Sequence, residues 1–186
     1  MEMEDISTKK EKIQKIYKYY GSKMYLAGIF FLIGAILSVI WMWYVMDNGD
    51  SLQLIDVFKK EDFIGNVPTF KSIFITNIIV ALIMCMGAFA GRFIPQIIIL
   101  MNGFMLGTVV SSYFYTNISK LVLFSLLPHG VLEVFLLLFC ASFGMNKYVK
   151  YSLREYLKLF IFIIIGFAIA AFVEVNISYR IAQCFQ

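Results

Sequence analysis

The chain has 186 residues, 61% of them hydrophobic and 15% charged, with a mean hydropathy of +0.81 and a modest net charge of +4. A soluble domain keeps about a quarter of its residues charged, so this composition leaves too little charge to cover a water-facing surface. Water-soluble enzyme folds, nucleic-acid-binding domains and disordered chains are set aside, and a bilayer is the expected solvent.

Residues 1–23 read as a basic arm carrying Lys9, Lys10, Lys12, Lys15, Lys18 and Lys23. Ile13, Tyr17, Tyr20 and Met24 fall on one helical face with lysines on the other, a pattern suited to anionic headgroups. A solvated tail that merely fixes topology is an equal reading. A membrane span needs about 20 mostly apolar residues. The first candidate runs from Met24 to Met46, with Trp41, Trp43 and Tyr44 at its far end as an interfacial belt. It is too long for a cleaved signal peptide, and Asp47-Asn48-Gly49-Asp50 follows instead of a small-residue cleavage site, so it reads as an anchor.

The loop Asp47–Lys71 is the longest polar stretch, with Leu52, Ile55 and Phe58 spaced for a short surface helix. Its DNGD run lacks the other ligands of a calcium loop and reads as a turn. The second span covers Ser72 to Ala90, and the third Ile97 to Phe114. Between them Gly91–Gln96 forms a tight turn containing Pro95. Leu121–Leu127 is apolar but too short to cross. It either lies in the interface or dips in as a re-entrant half-helix before Pro128, a sixth and broken element. The fourth span runs from Pro128 to Gly144 and the fifth from Leu157 to Val175, leaving 176–186 as a short tail. The expected fold is an all-α polytopic bundle of five spans over residues 24–175.

Lysines and arginines in the flanks set orientation. The arm, Arg92, and Lys147, Lys150, Arg154 and Lys158 place eleven of the 16 on one side. Lys59, Lys60, Lys71, Lys120 and Arg180 fall on the other. The amino terminus is expected inside and the carboxyl terminus outside a plasma membrane. Cys85 and Cys140 lie in spans and Cys184 in the tail, with no CxxC metal pair or disulfide framework.

Small residues recur at helix-packing spacings: Ala27/Gly28 and Gly34/Ala35, Gly87 and Gly91, Gly103–Gly107–Ser111, and Gly166 with Ala170. Close packing within one bundle is the main reading, and homodimerisation through one stripe the sharper alternative. The intramembrane ionisable residues are His129, Glu133 and Glu174, which default to functional candidates because burying them is costly. His129 and Glu133 are four apart on one helix face. Pro128 suits the first turn of that helix, where its missing N–H loses nothing. Glu133 lies about 7.5 Å in from Pro128 at 1.5 Å per residue. Alternating topology brings Asn77, Ser111, Ser112 and Glu174 near the same level. The expected polar cluster is therefore Asn77, Ser111, Ser112, His129, Glu133 and Glu174, with Asn102 too far toward the inner end to join.

One histidine and no HExxH pair argue against a metal site, and no nucleophile–base constellation argues for catalysis. The chain is read as a non-enzyme with no cofactor. A relay through His129 and Glu133 competes with a structural pair that pins the bundle.

The string Leu126-Leu127-Pro128-His129-Gly130-Val131-Leu132-Glu133 resembles the LLPHGxxE motif of the stage II sporulation protein M family. Asn77 in the second span, Gly87 and Gly91 at its exit, then Asn102-Gly103 and Gly107 follow in similar order, so the resemblance covers about residues 70–144. It implies a multi-pass plasma-membrane protein of a bacterium or archaeon. In spore formers the founding member takes part in engulfment as the membrane scaffold of two cell-wall hydrolases, the stage II proteins D and P. Other relatives are encoded beside circular bacteriocins and are associated with export and self-immunity. Where the family often continues Leu-Pro after the glutamate, this chain has Val134-Phe135, which leaves the fourth helix unbroken. The PHGxxE string favours a relative outside sporulation. The resemblance thus implies a scaffold or subunit in a complex with membrane or cell-wall-associated proteins, with an export or immunity component as the alternative.

Overall fold

The computed structural model describes residues 2–47, 69–115, 123–146, 153–178 and 180. Its elements are α1 (Glu2–Asp47), α2 (Phe70–Ala90), α3 (Phe93–Tyr115), α4 (Leu123–Gly144) and α5 (Leu153–Val173), the last running into a π-helical turn at Glu174–Ser178. Each helix contains a stretch long and apolar enough to cross a membrane: Gly21–Asp47, Phe70–Ala90, Phe93–Ser112, Leu127–Gly144 and Arg154–Ser178. Among the described residues the protein is all-helical, with five helices that can cross a membrane, as the hydropathy pattern requires. The surface helix and turn expected within 48–68, and the amphipathic face expected on the side chains of 13–20, lie outside the described residues.

Chain chemistry explains where the helices begin and end. Thr69 caps α2, its Oγ1 accepting from the Ser72 N–H at 3.3 Å, which satisfies one of the first-turn donors left without a helical partner. At the other end Gly91 takes φ +144° and its N–H returns to the Gly87 carbonyl at 2.9 Å. A side chain there would be strained, so this glycine is a conformational requirement. The turn into α3 is only Gly91-Arg92, shorter than the expected Gly91–Gln96, and α3 starts at Phe93 instead of Ile97. Pro95 falls in the first turn, where its missing N–H has no carbonyl to reach.

The fourth helix also departs from expectation. It begins at Leu123 and runs unbroken through Pro128, so residues 123–127 are the opening turns of α4 and not a separate re-entrant element. Leu121 and Val122 lie outside the described residues. Pro128 sits in the second turn instead of the first, and lacks the N–H that would reach the carbonyl of residue 124. No proline follows Glu133, and the helix continues to Gly144.

Close packing relies on glycine, because apolar surface gains little from leaving lipid and backbones must approach to gain dispersion contacts. A Cβ at Gly34 would meet the Leu100 carbonyl, one at Gly103 the Phe31 carbonyl, and one at Gly107 the Ala35 backbone and Ser38 hydroxyl. The Gly103–Gly107 stripe is therefore filled by α1 inside the same chain, in keeping with close packing within one bundle. At the far end of α2, Gly87 receives the Pro95 ring, and Gly144 of α4 lies on the Met84 carbonyl. The free thiols of Cys85 and Cys140 meet across this α2–α4 crossing. Gly166 of α5 lies beneath the Leu136 side chain, flanked by an edge-to-face pair of Phe139 and Phe162 with centroids 5.4 Å apart.

Helix α4 is the central post. It touches α1, α2, α3, α5 and the π turn, and it supplies Leu136, Leu137, Cys140, Ala141 and Met145 to the core. The outer faces carry exposed Leu32, Ile36, Ile40, Ile79, Met105 and Ile165, which a bilayer solvates.

Candidate functional site

The start of α4 places His129 and Glu133 one turn apart, facing the bundle. His129 is buried and Glu133 half-buried. A polar group in this setting must find an internal partner, because lipid offers none. Glu133 finds one on α2, where Asn77 donates from Nδ2 to its Oε1. His129 finds one beyond α5: its Nδ1 and the Ser178 hydroxyl share a hydrogen bond at 2.7 Å. Glu174, the first residue of the π turn, lies within electrostatic reach of Glu133. Two helices and the π turn are thus tied at the end of the bundle where α4 begins.

The π turn matters to this geometry. Its i→i+5 pattern is wider than an α-turn and frequent at functional sites, and it rotates the residues after Glu174 relative to a continued α-helix. Ser178 ends up buried against His129, while Asn176 donates to its own helix at the Phe172 carbonyl, 2.9 Å away.

Beside these groups lies a cavity of about 200 Å³ between α1, α3 and α4, lined by Asn102, His129 and Glu133 among apolar side chains. Asn102 was expected to stand apart by depth, yet it lines the same space. The cavity runs lengthwise along α3 from Asn102 to Val109, so residues need not share a level to share it. Asn102 donates from Nδ2 to the Ile98 carbonyl at 2.9 Å. Ser111 and Ser112 are buried, but the Ser112 hydroxyl turns to its own helix at the Val109 carbonyl, 2.7 Å away. The structure therefore brings together Asn77, Glu133 and Glu174, joins His129 to Ser178, and adds Asn102 through the cavity.

Ser178 escapes sequence reasoning because the apolar stretch ends at Val175, three residues short of the helical run. A hydrophilic EVNIS stretch carries no periodicity that marks a π turn. Among the described residues, no group of three or more His, Cys, Asp or Glu is placed to hold a metal ion.

Comparison with known proteins follows the same lines. Residues 27–179 match the family described as Stage II sporulation protein M. An uncharacterized protein of Methanocaldococcus jannaschii is 31% identical over 150 residues, covering 72% of this chain and 84% of its own length. No solved structure matches.

Proposed function

The chain belongs to the stage II sporulation protein M family, and from that premise we propose that it is a non-enzymatic scaffold subunit of a multi-protein membrane complex. The observation that carries this reading is how the intramembrane polar groups are used. Asn77–Glu133 and His129–Ser178 each join two different elements, so they hold α2, α4 and the end of α5 in one arrangement. A rigid bundle presents its flanking segments at fixed spacing, which is what a partner-positioning subunit needs. Under the charge count, with the amino terminus inside and the carboxyl terminus outside, this tied end faces outward, toward cell-wall-associated partners.

The alternative, an export or self-immunity component, draws on the cavity beside His129 and Glu133, since ionisable groups within a membrane bundle mark substrate and ion pathways. One experiment separates the two. The full chain is purified from its native membrane in mild detergent and, in parallel, reconstituted into vesicles containing a pH-sensitive dye. A scaffold co-purifies in fixed stoichiometry with particular proteins, and leaves an imposed proton gradient intact. A chain that runs alone and collapses the gradient, with Glu133→Gln restoring it, would overturn the scaffold reading.

A further inference from the structure

Next to the polar cavity, an apolar groove of about 540 Å³ runs along α4, lined by Leu127, Val131, Phe135 and Leu138 with Val110 from α3. Leu127, Val131 and Phe135 are exposed, so the groove opens sideways to the bilayer. Phe31, Leu106, Gly130 and Val134 line both groove and cavity, and the two spaces adjoin there. Gly130 is the notable member. Among the described residues it is not at a positive φ, and a Cβ built on it would meet nothing within 4 Å. Neither backbone conformation nor close helix approach calls for glycine here, in contrast to Gly91 or Gly103. What the missing side chain leaves is open space between groove and cavity.

We propose that groove and cavity form one binding site for an amphiphile, whose alkyl chain lies in the groove and whose primary ammonium head enters the cavity past Gly130. The cavity is rich in acceptors. Asn77 takes one oxygen of Glu133, and the second receives no hydrogen bond among the described residues. Asn102 commits its Nδ2 to Ile98, which leaves its Oδ1 as an acceptor. Glu174 lies outside the cavity lining but within electrostatic reach of Glu133, and among the described residues no Lys or Arg lines the cavity. An ammonium group brings three donors and the opposite charge, and a buried charge is tolerated when paired and hydrogen-bonded. A carboxylate or phosphate head would set like charges together. The cavity has room for such a head and a few waters at about 30 Å³ each, and the groove falls within the roughly 300–1,000 Å³ of small-molecule sites. This inference goes beyond the scaffold reading and does not depend on it.

The test uses the purified full chain in detergent and three hexadecyl diazirine photoprobes that differ only in the head: primary amine, hydroxyl or carboxylate. Adducts are mapped by mass spectrometry. The amine probe is expected to label α4 groove residues about tenfold more than the carboxylate probe, the factor that 1.4 kcal/mol supplies. Glu133→Gln should erase the preference of amine over hydroxyl while leaving hydroxyl labelling in place. Gly130→Leu, checked for a retained thermal transition, should lose labelling with all three. Equal labelling by all heads in the wild-type chain would reduce the site to an apolar furrow and overturn the proposal. So would unchanged labelling in a folded Gly130→Leu protein. If that variant does not fold, competition on the wild-type chain decides: excess hexadecylamine should displace the probe, and equal displacement by methylamine would overturn any role for the groove.

Discussion

Glu133 and Asn77 sit 56 positions apart in the chain and share one hydrogen bond inside the bundle; removing either leaves the other's polar atom without a partner. Asn77→Ala and Glu133→Ala should each lower the thermal stability of the detergent-solubilised protein, and the double substitution should cost less than their sum. The expected coupling is about 0.6–2 kcal/mol, the range for hydrogen bonds between membrane helices. The His129–Ser178 pair should behave in the same way, and strictly additive losses in either cycle would show that the bond contributes nothing. Two glycines give the opposite contrast. Gly130→Ala places its methyl in open space and removes a flexible residue from a helix interior, so stability should rise by roughly 0.5–1 kcal/mol. Gly103→Ala drives a methyl into the Phe31 carbonyl and should cost about 1–3 kcal/mol through forced separation of α1 and α3. Thermal melts of both variants in one detergent check the pair, and equal shifts would mean that the α1–α3 contact is looser than the backbone approach indicates.

At the scale of elements, the α2–α3 connection depends on one residue. Gly91 holds φ +144°, a conformation that costs an L residue about 1–3 kcal/mol. Gly91→Ala should therefore lower the unfolding temperature although its Cβ would meet no neighbour, and an unchanged melt would mean that the turn can relax into another form. Hydropathy located all five helices, because about 20 apolar residues in a row have few other uses. Proline is a weaker boundary signal. Pro95 and Pro128 both looked like breaks, yet the helices run past them: Pro95 falls where no carbonyl awaits an N–H, and α4 carries Pro128 as a single missing bond in its second turn. A proline removes one donor and restricts its neighbour, but whether the helix ends there depends on what packs around it. The π turn at Glu174–Ser178 left no trace in the periodicity, since five residues are too few to distinguish two helical periods.

For the whole molecule, orientation rests on the lysine and arginine asymmetry between alternate loops. Thiol labelling of intact cells should modify native Cys184 and a cysteine placed at Asp50, but not one placed at Lys150. Labelling at Lys150 from outside would invert the bundle and turn the His129–Glu133 end toward the cytoplasm. Such an inversion would leave every internal contact as it is and would remove the case for partners in the cell wall.

Composition and linear order decide that this chain lives in a bilayer, how many times it can cross, and which family motif it carries, because each of these depends on short windows of residues acting on the solvent around them. The level of Asn77, His129, Glu133 and Glu174 along the bundle is also legible, since a helix advances by a constant rise per residue. What the linear order does not contain is azimuth, the direction each side chain takes around its helix once five helices have chosen their neighbours. Only the tertiary structure decides that Glu133 turns to Asn77, that His129 turns to Ser178, that Asn102 looks into the same cavity, and that Gly103 and Gly107 are filled by α1. Those choices are made by shape, through backbone approach at glycine and the pairing of buried polar groups such as Glu133 and His129. Both are properties of the assembled bundle, and no single helix carries them.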